Sequence, residues 1–394
     1  MYFFKILFFI EYFMIGMIVK NMLTRGLSMK RWNNYPRIED MCLLDNVGYT
    51  MHIAQFLAYL EEQNGNTVNR EFLMKRIMFQ SLKSLVLSDI NSGTKTYILK
   101  NDPEIFSQLE NKALNYILSL EAPEYLKEDM KNVMENTSFE TELLIIESAK
   151  KIAGWKESEV NAKIFSDIYE IPLREIKKGL EESAQKLTSM KELLENEDYL
   201  KYLSHIRRLS YCMRWNQQSR IFPISVMSHL VLITFITYVL VMIENENGKN
   251  YDMGEMLLRA MYHDIPEAIT GDIITPTKKA VPGFVELLEK VEIDMMNDYL
   301  FSYIPESYKN QVFPYMLHPF EGEVGKLVKY ADILSALLEA KVEVNHGSEN
   351  FKEIYRTIKK KVNTFEGKSI DYILKHMLDS FDAQSGEDIY LENF

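Results

Sequence analysis

Residues 31–47, RWNNYPRIEDMCLLDNV, and residues 214–230, RWNQQSRIFPISVMSHL, decide how this chain is built. Arg31-Trp32-Asn33 recurs as Arg214-Trp215-Asn216, and Arg37-Ile38 as Arg220-Ile221, each 183 positions on (214 − 31 = 183). The same offset pairs Asn64-Gly65 with Asn247-Gly248, Arg76 with Arg259, Asp89-Ile90 with Asp272-Ile273 and Thr94-Lys95 with Thr277-Lys278. One ungapped offset held from Arg25 to Lys95 is self-similarity, and a long internal period marks a duplicated structural unit. The chain therefore reads as two copies, 22–175 and 203–394. A charged stretch at 176–202 joins them, its acid and base spacing suiting a solvated connecting helix.

The chain has 394 residues and a mass of 46.3 kDa, more than one hydrophobic core usually organises. A hydrophobic content of 47% with 26% charged residues describes a globular chain and excludes a disordered one. The formal charge of −12 argues against stable nucleic-acid binding, although a local basic pocket can still hold a phosphate. Two cysteines, Cys42 and Cys212, exclude a disulfide scaffold and a cysteine-rich zinc module. A reducing, cytoplasmic setting is the expectation.

Residues 1–21 form an apolar N-terminal extension. Lys5 and Glu11 interrupt it, so no uncharged run approaches the length of a membrane span. It reads as a short anchor, as an amphipathic segment packed on the body, or as sequence upstream of a misplaced start. The last is favoured, because repeat organisation begins only near Met22. A second apolar run, 230–243, is short for a span and reads as a buried core helix, so no membrane span is expected. Helices are expected over 230–243, 253–263, 284–299 and 326–344, with prolines such as Pro223, Pro276, Pro282 and Pro305 at the joints. The fold class expected is all-α.

The second copy carries the chemistry. His229 opens the 230–243 helix, the doublet His263-Asp264 ends the periodic segment MLLRAMYHD, and Asp332 lies inside the apolar run LVKYADILSALL. Two imidazoles and two carboxylates suit a divalent transition ion such as Mn, Fe, Co, Ni or Zn. An acid inside an apolar stripe, as at Asp332, is costly without a partner or a metal.

The order H…HD…D within helices resembles the HD-domain metal-dependent phosphohydrolases. More narrowly, Arg214-Trp215, then His263-Asp264-Ile265-Pro266-Glu267, then Thr270-Gly271-Asp272 through Thr275-Pro276 and Lys278, resembles the YfbR-like 5′-deoxynucleotidase group. That group has a Glu before its first metal His, where this chain has Ser228. The resemblance implies His229, His263, Asp264 and Asp332 as metal ligands. Glu267 follows His263 by four positions and would be the general acid/base on the same helix face. Asp272 would position the attacking water or the sugar. Arg214 would grip phosphate bidentately, Trp215 would offer a flat face to a base or sugar, and Lys278 would neutralise the phosphate. His52, His205, His318, His346 and His376 have no companions at ligand spacing.

At the offset of 183, Asn46 stands opposite His229, Gln80 opposite His263, Ser81 opposite Asp264 and Ser84 opposite Glu267. Near Asp332 the counterpart positions read as Ser148 and Ala149. Arg31, Trp32, Asp89 and Lys95 remain. The first copy is thus expected to be a pseudo-domain that packs against the second or senses nucleotides. YfbR-like enzymes form homodimers, so the fused pair would be an intramolecular pseudo-dimer. The expected activity is phosphate removal from nucleoside 5′-monophosphates. The alternatives are a related phosphohydrolase acting on triphosphates, alarmones or another phosphoester, and a non-catalytic nucleotide-binding scaffold.

Overall fold

The computed structural model describes residues 13–87, 90, 92–273, 275–278, 280–378 and 381. Asp89 and the first twelve residues, both named above, lie outside the described residues. Among those described, the structure is helical, with two isolated bridges, Lys30 to Cys42 and Met213 to Ser225. The bridges are themselves 183 apart, as are the left-handed residues Trp32 and Trp215 at φ 54° and 57°. Helix caps repeat too: the Asn69 side chain accepts from Phe72 N–H and the Asp252 side chain from Glu255 N–H. The duplication read from the sequence is a duplication of backbone geometry.

Two long helices cross at the centre, Leu43–Gln63 from the first copy and Val226–Glu246 from the second. The latter is apolar nearly all round, which places it in the interior. Ser225 caps it by accepting the Ser228 N–H, and Gly248 at φ 92° closes its far end. It is long and apolar enough to cross a membrane, yet 94% of its most apolar window is buried within the protein. The core-helix reading of 230–243 is what the packing shows. The helices expected over 253–263, 284–299 and 326–344 are Met253–Tyr262, Phe284–Tyr299 and Gly322–Asn345.

The two copies share one continuous hydrophobic core. A polar knot pins the crossing. Buried Asp45 accepts from the Cys42 N–H at 3.0 Å, from Ser228 Oγ at 2.9 Å and from Ser225 Oγ. Asp45 is the repeat counterpart of Ser228, so the acid missing beside His229 is present in the other copy, facing the same crossing. Gly48 lets the helices touch, since a Cβ there would lie 2.8 Å from Met227 Sδ and 3.0 Å from its carbonyl oxygen. Gly48→Ala should therefore overpack this contact and cost about 1–3 kcal/mol, read as a lower thermal midpoint. An unchanged midpoint would mean the crossing does not hold the copies together.

One expectation differs from the structure. Residues 176–202 are not one solvated helix. The segment belongs to three helices, Ser166–Lys186, Thr188–Glu195 and Glu197–Arg207, which bury Leu180, Leu187, Met190 and Leu193. The buried Glu61 carboxylate accepts the Ser189 N–H at 2.7 Å, tying the middle helix to the first copy. The charges that suggested solvation occupy only the outer faces. The N-terminal helix Phe13–Asn21 buries Met14, Ile15, Ile18 and Val19 completely and packs against the segment Ile373–Met377. The described part of the extension is thus packed on the body.

Candidate metal centre

Three helices and a turn bring the second-copy residues together. His229 sits in the first turn of Val226–Glu246, His263 ends Met253–Tyr262, and Asp332 lies midway along Gly322–Asn345. Asp264 follows in the turn that Pro266 terminates. His229 Nδ1 lies 3.0 Å from Glu339 Oε1, and His263 Nδ1 lies 2.8 Å from the Ala260 carbonyl oxygen. Carboxylate and carbonyl oxygens only accept, so both Nδ1 atoms carry the proton and donate. Each Nε2 is left as a buried lone pair with no hydrogen-bond partner.

Those lone pairs converge with the carboxylates. His263 Nε2 is 3.1 Å from Asp264 Oδ2, while His229 Nε2 is 3.7 Å from Asp264 Oδ2 and 3.5 Å from Asp332 Oδ1. One donor atom from each of His229, His263 and Asp264 falls within 4.8 Å of the others, the only such group among the described residues. Acceptors at these distances repel unless a proton or a cation lies between them. Ligand distances of about 2.0–2.2 Å for nitrogen and oxygen around one ion reproduce such spacing. The residues therefore fit a divalent ion. Burial is the largest single influence on His263 and pushes it down, but the Asp264 charge and contact, the Asp332 charge and the Ala260 carbonyl together outweigh it, and the net shift is upward. Burial likewise opposes ionisation of Asp264, yet His263 and His229 hold it at about 2. Burial also opposes Asp332, which His229 and Lys329 hold well below the ordinary range, Lys329 Nζ being 2.6 Å away.

Behind this shell lies Glu339, which the sequence reading missed. It is fully buried and accepts from Trp215 Nε1 at 2.6 Å, Ser335 Oγ at 3.0 Å and Arg220 at 3.4 Å, besides His229. Neighbouring Glu343 accepts from the Ile221 and Phe222 N–H groups and from Arg220 Nε at 3.1 Å. The two acids anchor the Arg214–Phe222 loop over the site. A signal for Glu339 was available: it follows Asp332 by seven positions, two helical turns on the same face.

The remaining candidates surround the donors. Arg214 lies 3.7 Å from both Asp264 Oδ2 and Glu339 Oε1, and these carboxylates keep it charged against the cost of its burial. Trp215 is half-buried, with its indole N–H on Glu339 and its ring edge against Phe351. Glu267 begins the short helix after the turn, with Oε2 buried and unpartnered. Burial, then the charges of Asp264 and Asp272, push its carboxyl well above the usual range. Asp272 is raised for the same first reason, and Arg214 and Lys278 partly offset it. Lys278 is partly buried within electrostatic reach of Glu267 and Asp272; the side chains of Thr275 and Pro276 lie outside the described residues.

The first copy keeps the supporting frame without the donors. Glu157 accepts from Trp32 Nε1 at 2.9 Å, Arg31 Nε at 3.2 Å and Asn46 Nδ2 at 2.9 Å, as Glu339 does from Trp215 and His229. Glu157 is the counterpart of Glu339 at 339 − 157 = 182, one less than the earlier offset. The register slip corrects the sequence reading: the position matching Asp332 is Lys150, not Ser148 or Ala149. Lys150 donates to Gln80, which matches His263.

The 5′-deoxynucleotidase of Photobacterium profundum is 26% identical over 188 residues, 47% of this chain and 96% of that protein. That of Yersinia pestis (strain Pestoides F) is 28% identical over 190 residues, 47% of this chain and 95% of its own. An HD-domain phosphohydrolase structure from Listeria innocua shows 26% identity, covers 47% of this chain and 90% of its own, and has a TM-score of 0.43. A family model described as 5′-deoxynucleotidase YfbR-like matches twice, at residues 20–195 and 201–381, one match on each copy. Both halves carry the same signature, and the chain belongs to the YfbR-like family of HD-domain phosphohydrolases related to 5′-deoxynucleotidases.

Proposed function

We propose that the second copy removes phosphate from nucleoside 5′-monophosphates, with deoxynucleotides as the favoured class, and that the first copy does no chemistry. The observation that carries this is the pair of buried, unpartnered imidazole nitrogens facing Asp264 and Asp332 with Arg214 alongside. His229, His263, Asp264 and Asp332 would hold a divalent ion. Such an ion supplies Lewis-acid polarisation of a phosphoryl oxygen and lowers the pKa of a bound water.

The chain's own groups do the rest. Arg214 and Lys278 balance the phosphate charge, and Asp272 orients the attacking water or the sugar. Glu267 retains a proton under conditions where an ordinary carboxyl has lost it, so it can protonate the leaving 5′-oxygen. Trp215 secures Glu339 through its N–H and presents the accessible part of its ring to the base or sugar. Asn46, Gln80, Ser81 and Lys150 give the first copy no comparable donor set.

The test is metal content per chain together with phosphate release from nucleoside mono-, di- and triphosphates, divalent metals supplied singly. About one metal per chain and release from monophosphates are expected. Metal without monophosphate turnover would move the substrate to another phosphoester. No metal and no turnover would favour a nucleotide-binding scaffold.

A pH profile checks the acid. Protonated Glu267 is the active form and its pKa is raised, so turnover should fall as pH climbs through a value above the ordinary carboxylate range. Glu267→Gln should lack that limb. The same limb persisting in the variant would assign it to another group.

A further inference from the structure

We propose that the first copy holds an anion site: where the second copy gathers metal donors, the first presents Lys150, Lys83 and Lys95, backed by Arg76, to a ligand bearing a phosphate group. The argument rests on matched positions in the two copies. Lys150 stands where Asp332 stands and is bonded to Gln80, which stands where His263 stands. Lys95 matches Lys278, the residue assigned to the phosphate in the second copy. An amine in place of a carboxylate reverses the local charge, so it disfavours a metal cation and favours an anion.

The arrangement is not explained by internal pairing. Lys83 Nζ lies 3.3 Å from one Glu110 oxygen and Lys95 Nζ 2.8 Å from the other, so one carboxylate serves two amines. Among the described residues Lys150 has no carboxylate partner of its own; its bond is to the neutral Gln80 amide. Arg76 uses its terminal nitrogen on the carbonyls of Val133 and Met134, and its Nε is buried without a partner. Among the described residues, Glu110 is the acid whose charge reaches the Lys83, Lys150 and Arg76 groups.

Lys150 is exposed to solvent, so a ligand can reach its ammonium. Crowding by neighbouring protein atoms, then the like charges of Lys95, Lys83 and Arg76, brings its ammonium down to about 8. A bound phosphate would relieve this repulsion. Solvation alone does not require three amines and a guanidinium to share one acid.

The experiment is equilibrium binding of radiolabelled inorganic phosphate, and separately of deoxyadenosine 5′-monophosphate, to the metal-free full chain carrying Asp264→Asn. That background prevents turnover and metal-dependent binding in the second copy, so the readout does not depend on the proposed activity. Lys150→Gln and Lys83→Gln are then added singly, with thermal melts to establish folding. Each should weaken binding at least tenfold or remove one site per chain, and binding should weaken as salt rises. Nucleotide binding tenfold tighter than phosphate would identify a nucleotide site, and equal affinity a free-phosphate site; both support the anion site. Titrations unchanged by both folded variants would overturn it.

Discussion

Asp264→Ala should lose both bound metal and phosphate release, whereas Glu267→Gln should keep the metal and lose turnover by about 10²–10⁴-fold, the usual contribution of a positioned general acid. The contrast follows from where each carboxylate points. Asp264 Oδ2 lies between the two free imidazole nitrogens, at 3.1 and 3.7 Å, so its loss removes a donor and leaves His229 and His263 without their common partner. Glu267 lies beyond that cluster, and its Oε2 has no protein partner. Metal analysis and turnover measured on the same preparations separate the two roles. Retained metal in Asp264→Ala would remove it from the donor set. Near-normal turnover in Glu267→Gln would remove the acid role.

Glu339→Ala should weaken metal retention about 10–100-fold without touching a ligand, as loss of an outer partner to a metal histidine commonly does. Glu339 is the acceptor that keeps the His229 proton on Nδ1 and Nε2 free. It also receives Trp215 and Arg220, and burial is overcome because Arg214, His229 and Arg220 hold its carboxyl well below the usual range. Removing it leaves cations buried without their counter-charge, so stability should fall by about 3–5 kcal/mol as well. Glu339→Gln preserves shape but not charge and should retain more of the fold than Glu339→Ala. Metal affinity unchanged in a folded Glu339→Gln protein would show that the tautomer is set elsewhere. The matching change Glu157→Gln, in the first copy, should leave metal content unaltered.

Much of this protein was legible before any coordinates. A repeat offset needs only identities, and Arg-Trp-Asn at 31 and 214 supplied them because a left-handed tryptophan turn recurs in each copy. Helical periodicity placed His229, His263 and Asp332 on interior faces. What periodicity cannot report is the partner across a long loop. His229 and Glu339 are 110 positions apart, and nothing local to either names the other. The slip from 183 to 182 was equally invisible until helix Gly322–Asn345 could be laid on Glu140–Ala162, and it exchanged an expected serine or alanine for Lys150.

By itself, the sequence determined the all-helical class, the duplication and the set of residues proposed to ligate a divalent ion. These depend on local pattern and on the few side chains whose chemistry suits a metal. Only the tertiary structure decided that the two copies share one core through Asp45 and Gly48, that Glu339 orients His229, and that the charged stretch after residue 175 packs instead of spanning solvent. Each of those is a contact between distant segments, made by shape and charge that become adjacent only when the helices pack.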